Sequence, residues 1–285
     1  MSSASSSPSP SVELWIDGHL DLAWIGLVRG DLSRPTPEGS AVSWPSLDAA
    51  GIRLVFGTIF TEMDGPSKDP ASYPAGDVEA ASAAGRLQLE WYRSEERAGR
   101  LRIVHHLEEL AFDTRPAVVL LMECADPIAD ANDAAWWVGQ GVRVVGLSWA
   151  RGSRYAGGNS TSGGLTPAGR SLVAALDDAG AGHDCSHLSP RAFDELLAAT
   201  DGPVCATHSN AARLAGANPR HLEDDQYRAI AARDGIVGLN LFRRFLRPEG
   251  EATVEDCLDH LDHAAGLVGR HRVALGSDAD GGFGA

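Results

Sequence analysis

Apolar residues in this chain gather into short runs separated by longer, mixed stretches. The runs are Val12-Glu13-Leu14-Trp15-Ile16 and residues 53–60, 117–122, 142–149, 203–207, 235–240 and 273–277, with a shorter, more polar strand at 183–186 fifth in order. Runs apolar on both faces predict strands buried in a parallel sheet. Between them the spacing changes to that of helices, predicted over about residues 78–98, 126–140 and 224–233. Thr166-Pro167 and Ser189-Pro190 each supply a capping hydroxyl and a first-turn proline for two more, and Thr253 caps a last one. Residues 20–51 read as a long loop with one short helix, 61–77 and 151–164 as loops, and 101–104 as an extra short strand. Eight main strands alternating with helices predict a (β/α)8 barrel with its active site at the C-terminal strand ends. A doubly wound open sheet competes, but no glycine-rich phosphate loop follows the first strand.

Composition narrows this picture. The 285 residues suit a disordered Ser/Pro-rich tail over 1–11 and one barrel domain over 12–285. The net charge of −15, from 24 basic and 39 acidic residues, argues against nucleic acid and anionic membrane as partners. No basic leader and no apolar run of about 18 residues is present, so the expectation is a cytoplasmic protein. Four cysteines without a CxxC spacing are expected to be free thiols, mostly buried.

The chemistry sits where the strands stop. His19 and Asp21 close the first run, and two-residue spacing puts them on one side of an extended chain. Glu123 ends the third run, His187 the fifth, His208 the sixth and Asp278 the eighth. In a barrel these ends converge on one mouth. Three imidazoles beside three carboxylates suit zinc or a similar ion, and a carboxylate between two ions can bridge them. Two such ions can share and activate a hydroxide.

At these residues the chain resembles the membrane (renal) dipeptidase family of the amidohydrolase superfamily. Asp17-Gly18-His19-Leu20-Asp21-Leu22 is similar to its opening motif, and Met122-Glu123-Cys124 stands at its Glu-Gly segment. Gly164-Leu165-Thr166, Asp184-Cys185-Ser186-His187, Thr207-His208-Ser209 and Gly276-Ser277-Asp278-Ala279-Asp280-Gly281 follow in family order. The resemblance implies a barrel with two zinc ions that cleaves dipeptides, some with a D-residue at the C-terminal position, by a metal-bridged hydroxide. It implies that His19 and Asp21 bind one ion, that His187 and His208 bind the other, and that Glu123 bridges them. Asp278 would carry the proton, in preference to Asp280. Arg220 would hold the substrate carboxylate, although His221 replaces the family's following Asn.

Two departures change the expectation. The family's fourth strand ends in a histidine that serves the oxyanion; here Trp149 stands there, and Arg151, Arg154 or Tyr155 is expected to take over. The family's closing C-terminal segment is also missing after Ala285, so an apolar gap between the first and last helices, or a homo-oligomer that covers it, is expected. The alternatives are an amidohydrolase acting on another amide, such as an N-acyl amino acid, and a catalytically silent metal-binding barrel. Several residues read as structural: His260 and His263 as a solvated helix face, His183 as far from the mouth, Cys185 and Cys205 as core, and Asp184 as a support for ligands.

Overall fold

A computed structural model describes residues 15–36, 38–109 and 115–281 of the chain. The tail over 1–11 and the start of the first run at 12–14 lie outside the described residues. The barrel strands are β1 (Trp15–Leu20), β2 (Ile52–Phe60), β3 (Ala117–Glu123), β4 (Val142–Gly146), β5 (Gly182–Asp184), β6 (Val204–Cys205), β7 (Val237–Leu239) and β8 (Val273–Leu275). They run parallel in the order β7-β8-β1-β2-β3-β4-β5-β6. A parallel bridge between Ala206 and Val237 brings β6 back to β7 and closes the barrel. Its hydrogen bonds run from Ala206 N to Ile236 O at 3.0 Å and from Gly238 N to Ala206 O at 2.8 Å. The expected extra strand is present as Arg102–Ile103, beside the start of β3.

The capping signals do what their chemistry requires. The Thr166 hydroxyl accepts from Gly169 N at 3.0 Å, and the helix Pro167–Ala179 ends on Gly180 at φ 80°. Ser189 caps Pro190–Ala199, and Thr253 forms a reciprocal cap with Asp256 at the head of Val254–Val268.

Four segments differ from the reading. The stretch 20–51 holds two helices, Leu22–Arg29 and Trp44–Ala49. Leu22–Arg29 is apolar nearly all round, so it shows no polar face from which a helical period can be read. The helix expected from 126 begins only at Ala134, after a 3-10 turn at Ala131–Asp133. Residues 61–77 contain a small parallel pair, Glu62–Met63 with Ser72–Tyr73. β4 stops at Gly146, so Trp149 follows the strand by three residues and bridges back to Gly152.

The last helix is also rotated relative to expectation. It buries His260, Ala264 and Val268, while Val254 and Leu258 are exposed. His260 is therefore a core residue. Its Nδ1 accepts from Ala211 N at 3.3 Å and its Nε2 meets Leu246 O at 3.1 Å, which satisfies the ring without water. His263 pairs with Asp224 at 2.8 Å, and His183 pairs with Asp177 at 2.7 Å, away from the mouth. The four cysteines are free; Cys124 and Cys185 are buried, Cys205 and Cys257 half-buried. Among the described residues no helix is long and apolar enough to cross a membrane.

One close approach packs the ends of β6, β7 and β8 together. The Thr207 carbonyl lies against Gly238 and Gly276, where an added Cβ would come within 1.9 and 1.8 Å of its oxygen. Neither contact can relax by rotating a side chain, because the obstacle is backbone. Gly238→Ala is therefore expected to cost about 1–3 kcal/mol or more of stability. Urea denaturation of the variant checks this, and a midpoint equal to that of the native protein would show the approach to be unimportant.

Candidate metal centre

The six strand-end residues come together. His19 is the next-to-last residue of β1 and Asp21 lies just after it, Glu123 ends β3, and His187, His208 and Asp278 each follow their strands by three residues. The chain turns sharply off the sheet at His187 and Asp278, with φ of 62° and 55°. Left-handed backbone at a residue with a side chain is strained, and such strain concentrates at functional sites.

Glu123 is central. Its Oε1 is 3.0 Å from His187 Nε2 and 3.4 Å from His208 Nε2, and its Oε2 is 3.3 Å from His19 Nε2. Two ligand sets result, Glu123–His187–His208 and His19–Asp21–Asp278, each with its donor atoms within 4.8 Å of one another. The second nitrogen of each ring is occupied: His187 Nδ1 meets Asn159 Oδ1 at 3.0 Å, and His19 and His208 Nδ1 meet the Thr207 hydroxyl. The Nε2 atoms therefore face inward. His19 Nε2 is buried with no hydrogen-bond partner, and His187 and His208 Nε2 face each other at 2.9 Å. With both Nδ1 atoms protonated, two Nε2 lone pairs face each other there, an arrangement that a proton or a metal ion relieves. The donor set fits divalent metal ions of the zinc type.

Without a cation the charges strain against one another. Burial raises the Asp278 carboxyl to about 8, and the neighbouring Asp21 and Glu123 charges add to this against the pull of His19. Burial, then Glu123, raises Asp21 to about 6. Burial favours neutral His19, but the Glu123, Asp21 and Asp278 carboxylates overcome it and lift the ring to about 10. Burial and the Arg220 charge push His187 down to about 4. A bound cation reverses this balance by favouring ionised carboxylates and neutral imidazoles.

The residues expected around the substrate separate into two groups. Trp149 lies at the mouth, its ring 5.8 Å from His187 and edge-on to Phe60 at 5.5 Å. Arg220 is buried beside the ligands, donating to His208 O at 2.7 Å and Ser209 Oγ at 3.1 Å. Arg151 instead reaches across the rim to Asp64 O at 3.0 Å. Tyr155 is not a substrate residue: it is 2% exposed, and its hydroxyl donates to Ile128 O. Arg154 is committed to Asp126 and to Ile128 O. Both were expected at the pocket because they follow β4, but the loop folds back and turns them into its own packing. Asp280 is held by Arg29 at 2.6 Å and by the amides of Ala41 and Val42, which leaves Asp278 as the carboxylate at the ligands.

Three supporting residues escaped the sequence reading. Asn240 donates to Asp278 Oδ2 at 2.9 Å; it ends the seventh apolar run, so the strand-end criterion applied to every run would have found it. The Thr58 hydroxyl donates to Asp21 from inside β2, and Asn159 comes from the glycine-rich loop; neither carries a local signal. A cavity of about 610 Å³ lined by Trp24, Arg29, Leu241, Phe242 and Arg243 opens onto Asp278.

Comparison with known proteins agrees with this geometry. The family described as membrane dipeptidase (peptidase family M19) matches residues 12–284. An uncharacterized protein from the pqqA 5′ region of Klebsiella pneumoniae is 33% identical over 200 residues, 65% of this chain and 73% of that protein. A dipeptidase of Aspergillus oryzae is 31% identical over 147 residues, half of this chain and 35% of its own length. A metallopeptidase of Rhodobacter sphaeroides, solved with a phosphinate mimic of the dipeptide L-Ala-D-Ala, aligns with a TM-score of 0.83 at 27% identity, over 94% of this chain and 86% of that one.

His221, beside Arg220, carries a measurable consequence. Its Nδ1 is buried without a partner, and its ring meets Phe245 edge-on at 5.1 Å. Burial, then the Arg220 and His260 charges, lowers its pKa from 6.5 to about 4. The unfolded chain takes up a proton below its ordinary value that the folded ring refuses. The stability due to neutral His221 is thus complete above pH 6.5 and is lost as pH falls toward 4. The slope is at most about 1.4 kcal/mol per pH unit. Comparing urea midpoints at pH 7 and pH 5, His221→Asn is expected to lose less stability on acidification than the native protein. Equal losses would place His221 in water.

Proposed function

The chain belongs to the membrane dipeptidase family, peptidase family M19, and from that premise we propose that it is a metallo-dipeptidase working with two zinc or similar divalent ions at the barrel mouth. The observation that carries this reading is the inward convergence of three Nε2 atoms on the two oxygens of Glu123, one of them buried without a partner. In it His19 and Asp21 hold one ion, His187 and His208 the other, and Glu123 both. Bound there, such a pair supplies Lewis acidity toward the scissile carbonyl and an acidified water.

The chain's own groups do the rest. Asp278 Oδ2 is held by Asn240, which leaves Oδ1 to take a proton from the attacking water and return it to the leaving amine. Arg220 contributes a buried positive charge for the substrate carboxylate. The likeness to the Rhodobacter sphaeroides enzyme favours dipeptides with a D-residue at the C-terminal position. Trp149 and Phe60 form an aromatic wall next to His187. That wall favours a substrate with an apolar group on this side, and it is the one feature that supports the second reading, hydrolysis of an N-acyl amino acid.

Elemental analysis after incubation with zinc is expected to find close to two ions per chain. Glu123→Gln is expected to abolish hydrolysis and to weaken at least one site. A panel of L,L- and L,D-dipeptides and N-acyl amino acids decides between the two readings. Absence of bound metal in the native protein would overturn both.

Trp149→His tests the missing oxyanion group. If the indole took the place of a catalytic donor, the reversion should raise dipeptide kcat by as much as about a hundredfold. A fall in kcat would make Trp149 part of the substrate site and favour the N-acyl reading.

A further inference from the structure

We propose that the Thr207 hydroxyl, oriented by Asp184, is a positioning group that holds one imidazole from each ion site in the ligand tautomer and so joins the two sites into one unit. The inference rests on the metal reading above. Thr207 Oγ1 lies 2.5 Å from Asp184 Oδ2, 3.1 Å from His19 Nδ1 and 2.9 Å from His208 Nδ1. A hydroxyl has one proton and two lone pairs. A carboxylate oxygen only accepts, so the proton goes to Asp184. Toward both rings the hydroxyl can then only accept. Each Nδ1 therefore carries its proton, which leaves Nε2 as the nitrogen through which each ring can meet an ion.

The arrangement is rigid from both sides. Asp184 Oδ1 accepts from Ser186 N at 2.9 Å and from Thr207 N at 3.0 Å, so the carboxylate cannot turn. The Thr207 carbonyl is pressed against Gly238 and Gly276. The two rings stack with centroids 3.5 Å apart and planes 26° apart. At their inner ends Glu123 Oε2 faces His19 at 3.3 Å and Oε1 faces His208 at 3.4 Å. The parallel rings are thus clamped by one hydroxyl at Nδ1 and faced by one carboxylate at Nε2. His19, Asp184 and His208 also lie within ligand range of one another, but the Thr207 hydroxyl already bonds to all three. His187, by contrast, is oriented by Asn159 alone.

Separate supports make a specific prediction. Loss of the Thr207 hydroxyl should weaken both sites together, while loss of the Asn159 amide should weaken only the His187–His208 site. The experiment uses zinc affinity by chelator competition, together with 15N spectra of the histidine rings, which report the tautomer of neutral His187 and His208 in metal-free protein. Thr207→Val is expected to lower both affinities about tenfold to a hundredfold and to release the Nδ1–H tautomer at His208 but not at His187. Thr207→Ser should restore both readouts. Asp184→Asn is a second route: its amide donates into one hydroxyl lone pair, and the hydroxyl proton must then turn to a ring nitrogen. One imidazole is driven to the Nε2–H form, and one ion should be lost. Thr207→Val that folds with unchanged tautomers, or that loses one site only, overturns the proposal. If Thr207→Val does not fold, unchanged ring spectra in Asp184→Asn overturn it instead. Native protein that binds no zinc would sink the metal reading, while the ring spectra of the same sample would still decide the hydrogen-bond assignment.

Discussion

A carboxylate buried among imidazoles is the constraint around which the mouth of this barrel is arranged. Taking Glu123 out of water costs several kcal/mol unless its charge is met by nearby donors or cations. Burial opposes its ionisation, but the His19 charge and contacts from His187, His19 and His208 hold it well below the ordinary carboxylate range. The same residues are left with inward lone pairs whenever the rings are neutral. A divalent cation satisfies both conditions at once, and the inward convergence of three rings on one carboxylate suits such an ion.

The barrel keeps these groups in place with short, local devices. Asp17 Oδ1 accepts from His19 N at 3.1 Å and from Ser277 N at 2.9 Å, so one side chain ties the first ligand to the loop that carries Asp278. This matters because β1 and β8 share a single register pair, Asp17 with Leu275. Thr58 orients Asp21, Asn240 orients Asp278, and Thr207 orients two rings. Several of the clustered residues are thus fixed by neighbours from other strands or loops. Such cross-strand support is what holds a metal site to its geometry.

The side of the mouth built by the loop after β4 follows different physics. Arg154 is spent on Asp126 and on carbonyls of the preceding loop, and Tyr155 is sealed beneath it with the ring 5.1 Å from the guanidinium. The loop is folded on itself; Trp149, packed on Phe60, and Asn159, bonded to His187 Nδ1, are the residues it turns toward the cluster. An indole brings area and one N–H donor where an imidazole would bring a titratable proton. The aromatic wall of Trp149 and Phe60 and the imidazole–carboxylate cluster thus sit side by side at the mouth.

The order of strands and helices, the capped helix starts and the six polar residues at the strand ends were legible because each depends on local chemistry. Apolar runs must be buried, Thr166 and Ser189 satisfy free amides of the next turn, and polar residues directly after buried strands must face a barrel's mouth. The helix at Leu22–Arg29 was hidden because a helix buried on most sides has no polar face to reveal its period. His260 was misjudged because a ring that meets two backbone groups looks, in sequence, like any polar residue on a wet face. Tyr155 and Arg151 followed the right strand, but the path of a loop is set by distant partners such as Ile128 and Asp64. The sequence alone determined which residues reach the mouth. Tertiary structure decided which nitrogen of each ring faces inward, because that depends on partners such as Thr207 and Asn159, which lie far along the chain from His19 and His187 and are adjacent only in the closed barrel.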